Sequence, residues 1–171
     1  MLRFRARNYH RSRQRRIQMI ALIQRVSSAS VTVAGQQIGS IEGGLLALIG
    51  VQPADTELTA ERLLQRLLAY RVFPDDAGRM NRSLADTGGG LLLVPQFTLA
   101  ADTRKGNRPG FSTAAPPERA AALFEHLCGL ARRDHPMVQT GRFGADMSVA
   151  LTNEGPVTFW LQVGEGAEVS V

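Results

Sequence analysis

The chain holds one cysteine, Cys128, so no disulfide can close within it, and its thiol content suits a reducing cytosol. Cys128 falls in an Ala/Leu-rich helical pattern, where a free thiol serves as a small core hydrophobe. No apolar run reaches the length of a membrane span, and no secretory signal is present. The histidines His10, His126 and His135 stand far apart, with no metal-ligand spacing among them. CxxC, HExxH, GxSxG and phosphate-loop patterns are all missing, and no nucleophile–base pair stands out. An enzyme built from this chain is expected to work with no metal, no cofactor and no strong general base.

Acidic residues are missing from the first 18 positions, which hold Arg3, Arg5, Arg7, Arg11, Arg13, Arg15 and Arg16. The formal net charge of +5 therefore belongs to this arm, because residues 19–171 carry 13 basic against 15 acidic side chains. A segment with so much like charge and so few apolar residues cannot pack. Residues 1–18 are expected to be disordered, or to precede a true start at Met19. An organelle transit peptide and a basic tail on RNA phosphates are the other readings.

What is present is a composition of globular type, 44% hydrophobic and 20% charged, with length enough for one domain. Residues 19–26 read as a strand and Ser27-Ser28-Ala29 as a bend. Residues 30–33 and 37–41 flank a short turn at Ala34-Gly35-Gln36. Glu42-Gly43-Gly44 reads as another turn, and residues 45–51 as a strand covered on both faces. Asp55 or Thr56 caps a helix over 57–70, with Leu63, Leu64, Leu67 and Leu68 as its stripe. Residues 74–78 read as a loop. A second helix starts near Pro116-Pro117-Glu118 and runs to about 131, with Arg132, Arg133 and His135 near its favourable end for cations. Residues 137–144 form a link to a strand over 145–152. A turn at Asn153-Glu154-Gly155-Pro156 and a last strand over 157–163 follow, and residues 164–171 read as a frayed tail. The expected fold is one α+β domain over 19–163, with antiparallel or mixed sheets in layers and two main helices.

Two stretches carry candidate chemistry. In residues 91–111 an apolar strand turns polar within a few residues, delivering Gln96, Thr98 and Asp102, then Arg104, Lys105 and Arg108 around Gly106. Thr98 offers a hydroxyl, Gln96 an amide for a carbonyl or ribose, and the cations a grip on phosphate. A site on a rigid support and a core strand followed by a solvated basic loop both fit this pattern. In residues 153–158, Gly155 permits close backbone approach and Pro156 makes the preceding peptide a candidate for the cis form; by the residues alone an ordinary hairpin turn is the favoured reading.

Taken together, MIALIQRV, QFTLAADTRKGNRP, TGRFGADM and NEGPVTFWLQV, in that order from Met19 to Val163, resemble the D-aminoacyl-tRNA deacylase family. Residues 1–18 lie outside the resemblance. It implies a homodimeric, metal-free esterase of the cytoplasm, with its site at the subunit interface. The implied substrate is the ester joining a D-amino acid, or glycine mischarged on tRNA-Ala, to the terminal adenosine of tRNA. Gly155 and Pro156 match the family's Gly–cis-Pro element, which enters the partner's site and excludes L side chains with backbone carbonyls. Arg25 matches the arginine that holds this element. Gln96, Phe97 and Thr98 match the catalytic motif, and Phe143 and Met147, with Ala100, fall in the substrate pocket. One position departs, since the family serine before Gln96 is Pro95 here. A related branch selective for L-alanine on mischarged tRNA carries Pro-Gln there, yet usually has Ala where this chain has Phe97.

Two mechanisms fit such a site. In one, the Thr98 hydroxyl is the nucleophile, with no base in view to activate it. In the other, the neighbouring 2′-hydroxyl of the tRNA assists water while backbone donors near Phe97 and Thr98 form an oxyanion hole. The missing base favours the second. A non-catalytic RNA-binding dimer is the competing class, and the near-neutral body argues against it, since RNA binders show a basic face.

Overall fold

Met19–Val33 forms one 15-residue strand, β1, along which the main sheet is laid out. The computed structural model describes residues 19–164, so the expectations for the arm at 1–18 and for residues 165–171 of the tail lie outside the described residues. The bend expected at Ser27-Ser28-Ala29 is instead an irregularity inside β1, where the register against its neighbour shifts between Val26 and Ser28. Ala34 and Gly35 both have positive φ (48° and 79°), which closes the two-residue hairpin to β2, Gln36–Ile41. The turn expected at Glu42-Gly43-Gly44 does not reverse the chain. Ala29 pairs with Ile41 and Val26 with Gly44, so the chain runs straight from β2 into β3, Gly44–Gly50, along the same edge of β1.

The first long helix, α1, is Glu57–Ala69, and Thr56 is its N-cap in a capping box with Thr59. Residues 74–78 join two very short strands, β4 Phe73–Pro74 and β5 Met80–Arg82, and a one-turn helix, α2, Leu84–Thr87, follows. None of the three is long enough to show a hydrophobic period. Strand β6, Gly90–Pro95, lies parallel to β3. A 3-10 turn, Phe97–Ala100, and the second long helix, α3, Pro117–Asp134, come next. The expected link then contains a strand, β7, Val138–Thr140, parallel to β6.

The largest correction concerns the end of the chain. Instead of two strands around a turn, one 16-residue strand, β8, Ser148–Val163, runs antiparallel along the free edge of β1. The sheet is therefore mixed, with β3, β6 and β7 parallel and the rest antiparallel.

Strands β3 and β6 are apolar throughout because both faces are covered. Leu45, Ala47, Ile49, Leu91 and Leu93 face the main core with Leu63, Leu67, Phe124, Leu127 and Cys128 of the helices. Leu46, Leu92 and Val94 face a second core with Val26, Val31 and Ile41, where the sheet curls over itself. The curl needs two glycines in contact: a methyl on Gly44 would lie 1.9 Å from Gly90 O, and one on Gly90 would lie 2.7 Å from Ile41 Cβ.

Candidate active site

Parallel pairing brings the C-terminal ends of β3, β6 and β7 to one edge, the place where open parallel sheets present loops to a ligand. There Gln96 N donates to Ile49 O at 2.7 Å, the last tie of β6 to β3. The chain then winds into the 3-10 turn, with Leu99 N on Gln96 O at 3.2 Å and Ala101 N on Thr98 O at 3.2 Å. Gly50 is the seat of this turn, since a methyl on it would lie 3.0 Å from Leu99 Cβ.

The amides of Phe97 and Thr98 open the turn, and neither has a hydrogen-bond partner among the described residues. Both side chains are exposed, and the Phe97 ring packs at 5.1 Å against Phe111. Gln96 Nε2 donates to Thr98 Oγ1, so the hydroxyl accepts from an amide and keeps its own proton for an outside acceptor. Among the described residues no Asp, Glu, His or Lys side chain bonds to it. Ala100 is buried at 3% exposure, and Thr113 Oγ1 donates to its carbonyl. The described residues contain no group of three or more His, Cys, Asp or Glu side chains placed to hold a metal.

The cationic segment is pinched at its base: Asp102 N donates to Gly110 O at 2.7 Å, and Gly110 N to Asp102 O at 3.0 Å. Arg104 turns back on Asp102 with two bonds, Nε to Oδ1 at 2.8 Å and an Nη to Oδ2 at 2.6 Å. Those bonds hold the Asp102 carboxyl well below the usual carboxylate range and raise Arg104. Arg104 is thus already engaged, whereas Lys105 and Arg108 stand exposed without an ion pair among the described residues. Two clefts meet here. One of about 470 Å³ is lined by Arg104, Lys105, Arg108 and Ser112, and one of about 600 Å³ by Leu99, Ala100, Arg104, Trp160 and Gln162.

The loop after β7 approaches from the other side, tied by Gly141 N to Leu93 O at 2.8 Å. A methyl on Gly141 would lie 2.9 Å from Met147 Sδ and 3.2 Å from Pro95 Cδ, so Met147 is held beside the residue that precedes Gln96. Phe143 is half-buried and packs on the helix-side core.

The second constellation sits elsewhere. Asn153 pairs with Val26 and Thr158 with Gln24, so Glu154, Gly155, Pro156 and Val157 bulge out opposite Arg25 alone. The Gly155–Pro156 peptide is cis, and Gly155 has φ +125°. Arg25 Nε donates to Glu154 O at 3.2 Å, and an Arg25 Nη donates to Val72 O at 2.6 Å, anchoring the bulge to the chain after α1. A methyl on Gly155 would lie 2.8 Å from Val157 Cγ2 and 3.1 Å from an Arg25 Nη.

Within one chain the two constellations do not meet. Arg25 pairs with Leu45 at the start of β3, while Gln96 bonds Ile49 near its end. The separation is about 13 Å along the strands and about 14 Å across the three strand intervals from β8 to β6. Sequence reasoning placed Arg25 but passed over Val72, whose part is a backbone carbonyl that no side-chain pattern reveals. It also passed over the Asn153 side chain, although Asn at the head of an Asn-Glu-Gly-Pro stretch is a recognisable local signal.

The family model described as D-Tyr-tRNA(Tyr) deacylase matches residues 22–162. A protein of Thioalkalivibrio sulfidiphilus called D-aminoacyl-tRNA deacylase is 65% identical over 145 residues, which is 85% of this chain and 97% of that one. One of the same name from Xanthomonas axonopodis pv. citri is 66% identical, covering 84% of this chain and 99% of that one. Among solved structures, a c-Myc DNA unwinding element binding protein superposes with a TM-score of 0.79 at 38% identity, over 83% of this chain and 97% of that one. A probable eukaryotic D-amino acid tRNA deacylase superposes with a TM-score of 0.74 over 85% of this chain and 100% of that one; at 18% identity it shares the fold.

Proposed function

The chain belongs to the D-Tyr-tRNA(Tyr) deacylase family, and from that membership we propose that it hydrolyses the ester of D-aminoacyl-tRNA, releasing free D-amino acid and tRNA. Glycyl-tRNA mischarged on tRNA-Ala is a second substrate in this reading, because glycine has no side chain to exclude. The carrying observation is the pair of unpartnered amides at Phe97 and Thr98, beside a hydroxyl that Gln96 holds as a donor.

In the mechanism, the ester carbonyl sits over the start of the 3-10 turn, and the two amides take the charge that develops on its oxygen. An aminoacyl ester is already activated, so placement and two donors suffice without a protein nucleophile. The 2′-hydroxyl of the tRNA assists the attacking water. Thr98 Oγ1 donates a hydrogen bond to a substrate oxygen and keeps its proton. Met147, Phe143 and the Phe97 ring surround the aminoacyl adenosine, while Lys105 and Arg108 meet RNA phosphates. No cofactor takes part, and the enzyme works in the cytoplasm on the 3′ end of tRNA.

Selectivity comes from a second copy of the chain. The bulge at Gly155 lies too far from its own Phe97–Thr98 turn to act there, which supports insertion into a partner's site. Its carbonyls then occupy the space an L side chain requires, and a D side chain points away. A partly exposed apolar row supports such a dimer: Trp160, 49% exposed, pairs with half-buried Leu22, which pairs with half-buried Leu48 on its other edge.

One observation favours a competing reading. Pro95 occupies the end of β6 beside Met147 and removes one N–H and one hydroxyl, as in the branch selective for L-alanine. One assay separates the two: hydrolysis of D-Tyr-, L-Tyr-, glycyl- and L-alanyl-tRNA by the same preparation. Turnover of the D and glycyl esters with the L esters intact is the expected result. Preferential release of L-alanine would replace this reading, and absence of all turnover would leave a binding dimer.

A further inference from the structure

The bulge on β8 is exposed at Glu154, Gly155 and Pro156, and neither Gly155 nor Pro156 has a ladder partner on β1. A segment of that kind is soft unless side chains at its base hold it. Arg25 bonds only the first leg, through Glu154 O. The second leg is held by Asn153, whose Oδ1 accepts from Val157 N at 3.1 Å. The same side chain closes the mouth of the bulge, Nδ2 donating to Thr158 Oγ1 at 2.8 Å, and Gln24 Nε2 adds a 3.4 Å bond to that hydroxyl. One amide thus ties both ends of the bulge to each other and to its descending backbone.

We infer that Asn153, acting with the Thr158 hydroxyl, is the positioning residue that fixes the direction of the Gly155–Pro156 backbone and thereby the discrimination between D- and L-aminoacyl esters. This rests on the exclusion role proposed above for the bulge. Exclusion by a clash works only when the obstructing atoms cannot retreat, because a loop that yields by a fraction of an ångström admits the wrong enantiomer. A primary amide supplies the two things needed, one acceptor for the Val157 amide and one donor for Thr158. Aspartate lacks the donor and alanine lacks both.

The test measures kcat/KM on D-Tyr-tRNA and L-Tyr-tRNA, with melting temperatures, for Asn153→Ala, Thr158→Val, Thr158→Ser and the Asn153→Ala/Thr158→Val pair. The D/L ratio is expected to fall by about tenfold or more in each of the first two, mainly through a rise on the L ester, the scale of one lost hydrogen-bonded support. Thr158→Ser keeps the hydroxyl and is expected to keep the ratio. The pair is expected to be no worse than the worse single variant, as for groups acting together. An unchanged ratio in Asn153→Ala and Thr158→Val, with the parent still selective, overturns the inference and leaves the exclusion reading intact. Equal losses on both esters mark a merely structural role and also overturn it. Should Asn153→Ala not fold, the contrast of Thr158→Ser with Thr158→Val decides alone. A parent enzyme that does not discriminate overturns the exclusion reading and this inference with it.

Discussion

Thr98 Oγ1 accepts from the Gln96 amide through one of its two lone pairs, and among the described residues no neighbouring base bonds it to take its proton. Thr98→Ala is therefore expected to keep kcat within about tenfold of the parent, since it loses one donor to substrate. Loss of a true nucleophile would lower kcat by on the order of 10⁴-fold or more, and single-turnover assays with D-Tyr-tRNA distinguish the two. Asp55 presents a different residue-scale case. It is fully buried ahead of α1, and Oδ2 accepts from Gln52 N at 2.7 Å while Oδ1 has no partner. Burial pushes its carboxyl up to about 6, against the pull of the Gln52 bond and of Arg119. A carboxyl raised on folding is better protonated in the folded state, so folding weakens as pH rises from about 4 to 6 and the loss persists above. Asp55→Asn keeps the acceptor for Gln52 and removes the charge. It is expected to stabilise the protein at pH 7 by on the order of 2 kcal/mol and to match the parent near pH 4, read by thermal melts across that range.

The elements show where pairing overrode local signals. The 103–109 segment reads as a solvated basic loop, yet the Asp102–Gly110 bridge makes it a short arm hanging beside the 3-10 turn. Within it Arg104 is bonded to Asp102, whereas Lys105 and Arg108 make no ion pair among the described residues. Lys105→Ala and Arg108→Ala are each expected to weaken tRNA binding and to reduce the slope of log K against log salt by about 0.7 to 0.9. Arg104→Ala is expected to change that slope less, because Asp102 already balances its charge. Binding isotherms at several salt concentrations check all three. The β8 bulge taught the same lesson in reverse. Asn-Glu-Gly-Pro has the composition of a turn, and the ladder to β1 resumes beyond it, so the strand continues and the four residues project.

At the scale of the molecule, helices cover one face of the sheet and the curled sheet covers part of the other, where Leu48 packs on the second core while half-buried Leu22 and exposed Trp160 continue the row towards the edge of the sheet. If the proposed dimer forms through this row, Trp160→Asp is expected to shift it to monomer in sedimentation while its far-ultraviolet circular dichroism stays unchanged. Deacylation is expected to fall with the dimer, since in the proposed arrangement the bulge that completes each site comes from the other chain. A monomer with full activity and full D-selectivity would exclude action in trans.

Apolar runs and caps in the sequence determined the two long helices, the buried strand at 45–51, the strand leading to Gln96 and the residues of both candidate stretches. Those features are local, because Thr56 caps its own helix and Leu45 to Ile49 alternate between two covered faces whatever lies above them. Tertiary structure decided the rest through backbone bonds between distant segments. It merged residues 148–163 into one strand and made β7 from a three-residue stretch. It also set Met147 beside Pro95 and bound Arg104 to Asp102. It alone separated Gly155 from Thr98 within the chain, because the antiparallel register of β1 sends the two to opposite ends of β3.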